Sequence, residues 1–135
     1  MIRENSMQSK RKVLFLIITI GIILAFVPAA ISFPDESDVI PGFIIFTLLN
    51  LLPLGILVFA IPSKDRITTR QLNGLLWAAT SFVFTHFVFN LAMLYELEKM
   101  ESGFSTSVIA YLFLPIITGI MMVIFYLLGY FLKKN

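Results

Sequence analysis

Residues 72–95 read LNGLLWAATSFVFTHFVFNLAMLY and contain no Asp, Glu, Lys or Arg. A bilayer core of about 30 Å takes roughly 20 apolar residues in a helix. The stretch therefore predicts a membrane-spanning helix. Three more uncharged stretches of similar length surround it, at residues 13–33, 42–61 and 108–132. Residues 34–41, 62–71 and 96–107 connect them. Backbone polar groups in hydrocarbon must be bonded within the chain, which favours helices over open strands. Barrel strands alternate over about 10 residues, and these runs are longer and continuous.

The composition agrees. The chain has 135 residues, 59% hydrophobic and 13% charged, with a mean hydropathy of +0.94. A soluble domain is about 45–50% apolar and about 25% charged. A disordered chain and a nucleic-acid-binding domain are excluded, and no nucleic-acid partner is expected. One domain, residues 1–135, is the ceiling at this length. No cysteine is present, so there is no disulfide, thiolate ligand or thiol nucleophile. His86 is the only histidine, which rules out a multi-histidine metal site within one chain.

The charges set the orientation. Arg3, Lys10, Arg11 and Lys12 precede the first stretch, Lys64, Arg66 and Arg70 follow the second, and Lys133 and Lys134 follow the fourth. With four spans, nine of the ten basic residues fall on one side. The other side holds Lys99 with Asp35, Glu36, Asp38, Glu96, Glu98 and Glu101. Basic residues stay cytoplasmic. The expected architecture is an all-α integral membrane protein: four transmembrane helices in a compact bundle, both termini cytoplasmic, multi-pass in the cell (plasma or inner) membrane. Residues 1–29 also fit a signal peptide, with small residues placed for cleavage before Ala30. The apolar run is long for that purpose, and an uncleaved first span is expected.

Each span carries its own signal. In the first, Pro28 removes the helical bond to the carbonyl of Leu24. In the second, Pro53 does the same for Leu49. There Asn50, with Thr47 on an adjoining face, is costly in lipid and should face another helix. In the third, Gly74, Ala78, Ser81, Thr85 and Ala92 fall in a narrow arc and form a stripe suited to close helix contact. His86 and Asn90 are four apart on another face, near mid-span. An ionisable residue at that depth is a functional candidate. Its ring suits proton handling, or a structural bond to Asn90 or a neighbouring helix. In the fourth, Tyr111, Pro115, Thr118, Met122 and Gly129 cluster on one side. The candidate intramembrane polar site is thus His86, Asn90, Asn50, Thr85 and Ser81. The candidate packing positions are Gly74, Ala78, Gly119 and Gly129.

Catalysis is not expected. No span holds an acid, Lys, Arg or Cys, and Ser81 and His86 project at different angles. Neither a phosphate loop nor a Gly-x-Ser-x-Gly elbow occurs. The acidic connections lack the spacing of a calcium loop, so neither a metal site nor a cofactor is expected. Two function classes remain. A non-enzymatic accessory or regulatory subunit needs only packing faces, with the lipid bilayer and another membrane protein, or a second copy, as partners. A small homo-oligomeric transporter or channel would need a polar path near His86 and Asn90.

Overall fold

The structure is a computed structural model and describes residues 2–32, 40–62, 66–99 and 105–132. Among these, the chain is all-helical: α1 (Ile2–Ser32), α2 (Ile40–Phe59), α3 (Thr69–Lys99) and α4 (Ser105–Phe131). The acidic positions Asp35, Glu36, Asp38 and Glu101 lie outside the described residues, as do Lys64, Asp65, Lys133 and Lys134. Two stretches, Thr69–Tyr95 and Leu112–Phe131, are long and apolar enough to cross a membrane.

All four helices start ahead of the hydropathy limits and α3 also ends beyond them, whereas α1, α2 and α4 end one or two residues short. α1 begins at Ile2, so Lys10, Arg11 and Lys12 extend the first apolar stretch as helix. α3 begins at a capping box. The Thr68 N–H donates to Gln71 Oε1 at 2.9 Å, and the Gln71 N–H donates to Thr68 Oγ1 at 3.2 Å. These reciprocal bonds satisfy donors that a helix start leaves without partners. α2 ends with the Ala60 N–H donating to Ile56 at 3.0 Å, ahead of Pro62, which disfavours a helical residue before it. α2 and α4 run on through Pro53 and Pro115 without a break.

The four helices form a ring in which α3 packs on α4 and α1, and α2 packs on α1 and α4. The Lys10 ammonium donates to Asn73 Oδ1 at 2.7 Å, joining the start of α1 to the start of α3. Gly129, late in α4, lies against Trp77 and the Asn73 carbonyl. The start of α1, the start of α3 and the end of α4 therefore share one end of the bundle. Consecutive helices run up and down.

Packing inverts the soluble pattern. Leu14, Ile18, Leu54, Leu72, Leu75, Ala79 and Phe82 form the main apolar core. Met93 and Leu114, with Phe89 against them, form a second one. Around both, Phe15, Leu16, Ile23, Leu48, Ile56, Phe84 and Val123 stand exposed, each by 60% or more. Thr47, Asn50, Ser81, His86, Asn90 and Thr118 are buried. These polar side chains are buried beside the apolar core, and large apolar side chains cover the outside. A water-exposed monomer rarely presents apolar patches beyond a few hundred Å².

Glycine sets the α3–α4 approach. A Cβ at Gly74 would sit 2.8 Å from the Tyr126 ring and 2.9 Å from its carbonyl oxygen. A Cβ at Gly129 would sit 2.8 Å from the Trp77 indole. Ala78, one turn on from Gly74, is buried as well. Gly119 corrects the packing expectation: a Cβ there meets nothing within 4 Å. It faces a groove rather than a helix. Ala92 also leaves the expected stripe, because it is exposed.

Candidate functional site

The side chains of α3 that point to the bundle axis are Leu72, Leu75, Ala79, Phe82, His86, Asn90 and Met93, all buried. They recur at steps of three and four, the spacing of one helical face. His86 and Asn90 therefore face the centre of the bundle. The small-residue stripe, with Gly74 under Tyr126, faces α4 instead. α3 is buried on both faces because α4 lies on one side of it and α1 on the other, with a smaller contact to α2.

Depth can be read across the helices. A Cβ at Gly21 would lie 3.1 Å from the Phe82 ring and 3.3 Å from Leu54, so these side chains meet at one level. One turn further along α3 stands His86. The same step along α2, which runs the other way, reaches Asn50, and along α1 it reaches Ala25. On α4, Leu114 packs with Met93 and Tyr126 covers Gly74, which puts Thr118 between them at the level of His86. Ala25, Asn50, His86 and Thr118 are each at most 1% exposed. Thr47 and Asn90 follow one turn on. A polar layer thus separates the two apolar clusters.

Several of its bonds are made. His86 Nδ1 lies 3.2 Å from the Phe82 carbonyl oxygen. A carbonyl only accepts, so Nδ1 carries the proton and Nε2 presents a lone pair. The imidazole also stacks on the Phe82 ring, with centroids 4.1 Å apart. The Thr118 hydroxyl donates to the Leu114 carbonyl. The Asn90 amide donates to the Leu24 carbonyl at 3.1 Å. That carbonyl has no helical partner because Pro28 has no N–H. The interhelical bond closes a gap that proline opens.

Other polar atoms are buried without a hydrogen-bond partner among the described residues: His86 Nε2, Asn90 Oδ1, Thr47 Oγ1 and both amide atoms of Asn50. Each such atom, left dry, costs roughly 1–3 kcal/mol. The cost is concentrated in one layer, near the middle of α2 and α4.

The five expected site residues separate. Asn50, His86 and Asn90 share the central layer. His86 bonds the Phe82 carbonyl of its own helix and Asn90 bonds the Leu24 carbonyl of α1, so the expected bond between the two is not made. Ser81 and Thr85 line an outer groove between α1, α3 and α4. Ser81 donates to the Ala78 carbonyl at 2.8 Å, away from His86. Sequence reasoning missed the Leu24 carbonyl as the acceptor of Asn90, although Pro28 had already marked it as free.

An apolar groove lies outside the layer. It measures about 460 Å³, runs between α2 and α4 over Pro53, Ile56, Gly119, Val123 and Tyr126, and ends at Gln71. A second hollow shares Pro53, Ile56, Gly119 and Val123 and carries the groove on to Pro115. Comparison of the chain with protein families, with curated proteins and with solved structures gives no match.

Proposed function

We propose that the chain is a four-span protein of the cell membrane, both termini cytoplasmic, that acts as a non-enzymatic accessory or regulatory subunit. Its working surface is the α2–α4 groove, and its ligand is a transmembrane helix of a partner protein. The inverted surface and the one-sided basic residues support the membrane assignment. The carrying observation for the role is Gly119. Glycine weakens a helix by about 0.5–1 kcal/mol relative to alanine. Gly21, Gly74 and Gly129 offset that cost through close contacts inside the bundle, whereas Gly55 and Gly119 meet nothing within 4 Å, and of these two Gly119 lines the apolar groove. In a bilayer, small residues on such a surface let a second helix approach closely.

The test is extraction in native lipid without detergent, followed by mass determination of the intact complex. A stoichiometric second protein, lost on Gly119→Phe, supports the reading. A bare homo-oligomer overturns it and favours the second reading, a small homo-oligomeric transporter. The orphaned polar atoms at mid-membrane favour that second reading, since they belong to the class of residues that line transport paths. Function that survives His86→Ala and Asn90→Ala together would remove the transport path.

A further inference from the structure

We propose that the polar layer between the two apolar clusters is a binding site for water, held by His86 Nε2, the Asn50 amide, Asn90 Oδ1 and the Thr47 hydroxyl. The proposal concerns the bundle interior and does not depend on what docks in the α2–α4 groove. All four residues are at most 5% exposed, and the atoms named lack partners among the described residues. Their chemistry defines the guest. His86 Nε2, Asn50 Oδ1 and Asn90 Oδ1 accept, whereas the Asn50 amide nitrogen and the Thr47 hydroxyl donate. The guest must both donate and accept. A cation could not, since it would face the Asn50 amide hydrogens, and no carboxylate in the layer offsets its charge. Water fits, and buried water typically makes about three bonds to otherwise unsatisfied groups. Ala25, with its small side chain, is the α1 residue at this level.

His86 is the only histidine, so histidine-selective 15N labelling reports on this layer alone. The measurement is solid-state NMR of the protein in lipid bilayers, with magnetisation transferred from water to the imidazole. The expected spectrum has a protonated Nδ1, a bare Nε2 and a transfer from water to the imidazole nitrogens. Asn50→Leu should cut the transfer by more than half. Thr47→Val is the milder variant should Asn50→Leu fold poorly, and should also reduce it. A ring without water transfer, a proton on Nε2, or a direct contact between Nε2 and the Asn50 amide would each overturn the proposal.

Discussion

The side-chain amide of Asn90 donates to the carbonyl of Leu24 at 3.1 Å, across the α1–α3 interface. Pro28, four residues on from Leu24, leaves that carbonyl without its helical partner. The two residues therefore form a pair that is needed only because of a third. A double-mutant cycle tests this. Asn90→Leu should destabilise the protein in micelles by about 0.6–2 kcal/mol, the range for interhelical hydrogen bonds in membranes. In a Pro28→Ala background the carbonyl regains its helical donor, and the same change should cost less. Equal costs in both backgrounds would contradict the pairing.

Gly74 and Gly129 are the tight points of the α3–α4 interface. Gly74→Val places atoms against the Tyr126 backbone, which cannot rotate away, and Gly129→Val meets both Trp77 and the Asn73 carbonyl. Each should cost at least the roughly 1–3 kcal/mol of an overpacked core. A Cβ at Gly119 meets nothing within 4 Å, so Gly119→Ala should leave the stability of the isolated protein unchanged or raise it by up to about 1 kcal/mol. Unfolding of the three variants in the same detergent ranks them directly.

The start of α3 rests on Thr68 and Gln71, which exchange bonds at 2.9 and 3.2 Å. Thr68→Ala should cost about 1 kcal/mol. Amide exchange at the first turn of α3 should accelerate, while that around Phe82 stays slow. Uniform acceleration along α3 would mean that the cap has no local role.

Four helices could be read from four uncharged runs, because the length of a span follows from bilayer thickness. Their ends could not, because hydropathy counts apolar residues and helices continue into polar ones. Thr68-x-x-Gln71 was a usable start signal that lies outside any apolar run. His86 and Asn90 stood out by chemistry, and their direction was hidden. A helix buried on two faces carries two stripes, and the small-residue stripe is the more conspicuous one. The steps from Leu72 through Ala79, Phe82 and His86 to Met93 held the second. Gly119 resembled Gly74 and Gly129 in sequence, since only the neighbouring helix decides whether a glycine is covered.

The absence of cysteine makes the transmembrane reading simple to test. Single cysteines at Ser37 and Ser102 should react with a membrane-impermeant maleimide on intact cells. Cysteines at Ser6 and Ser63 should react only after the membrane is opened. Reaction at Ser6 from outside would reverse the orientation, and mixed labelling of Ser37 and Ser102 would exclude four spans.

Photo-crosslinking from inside the membrane tests the docking surface most directly. A photoreactive residue replaces either Ile120, beside Gly119 on the α2–α4 hollow, or Phe15, exposed on α1. The expected result is one discrete protein adduct of fixed mass from Ile120, lost on Gly119→Phe, and lipid adducts alone from Phe15. Lipid adducts alone from both positions, or equal protein adducts from both, would contradict it.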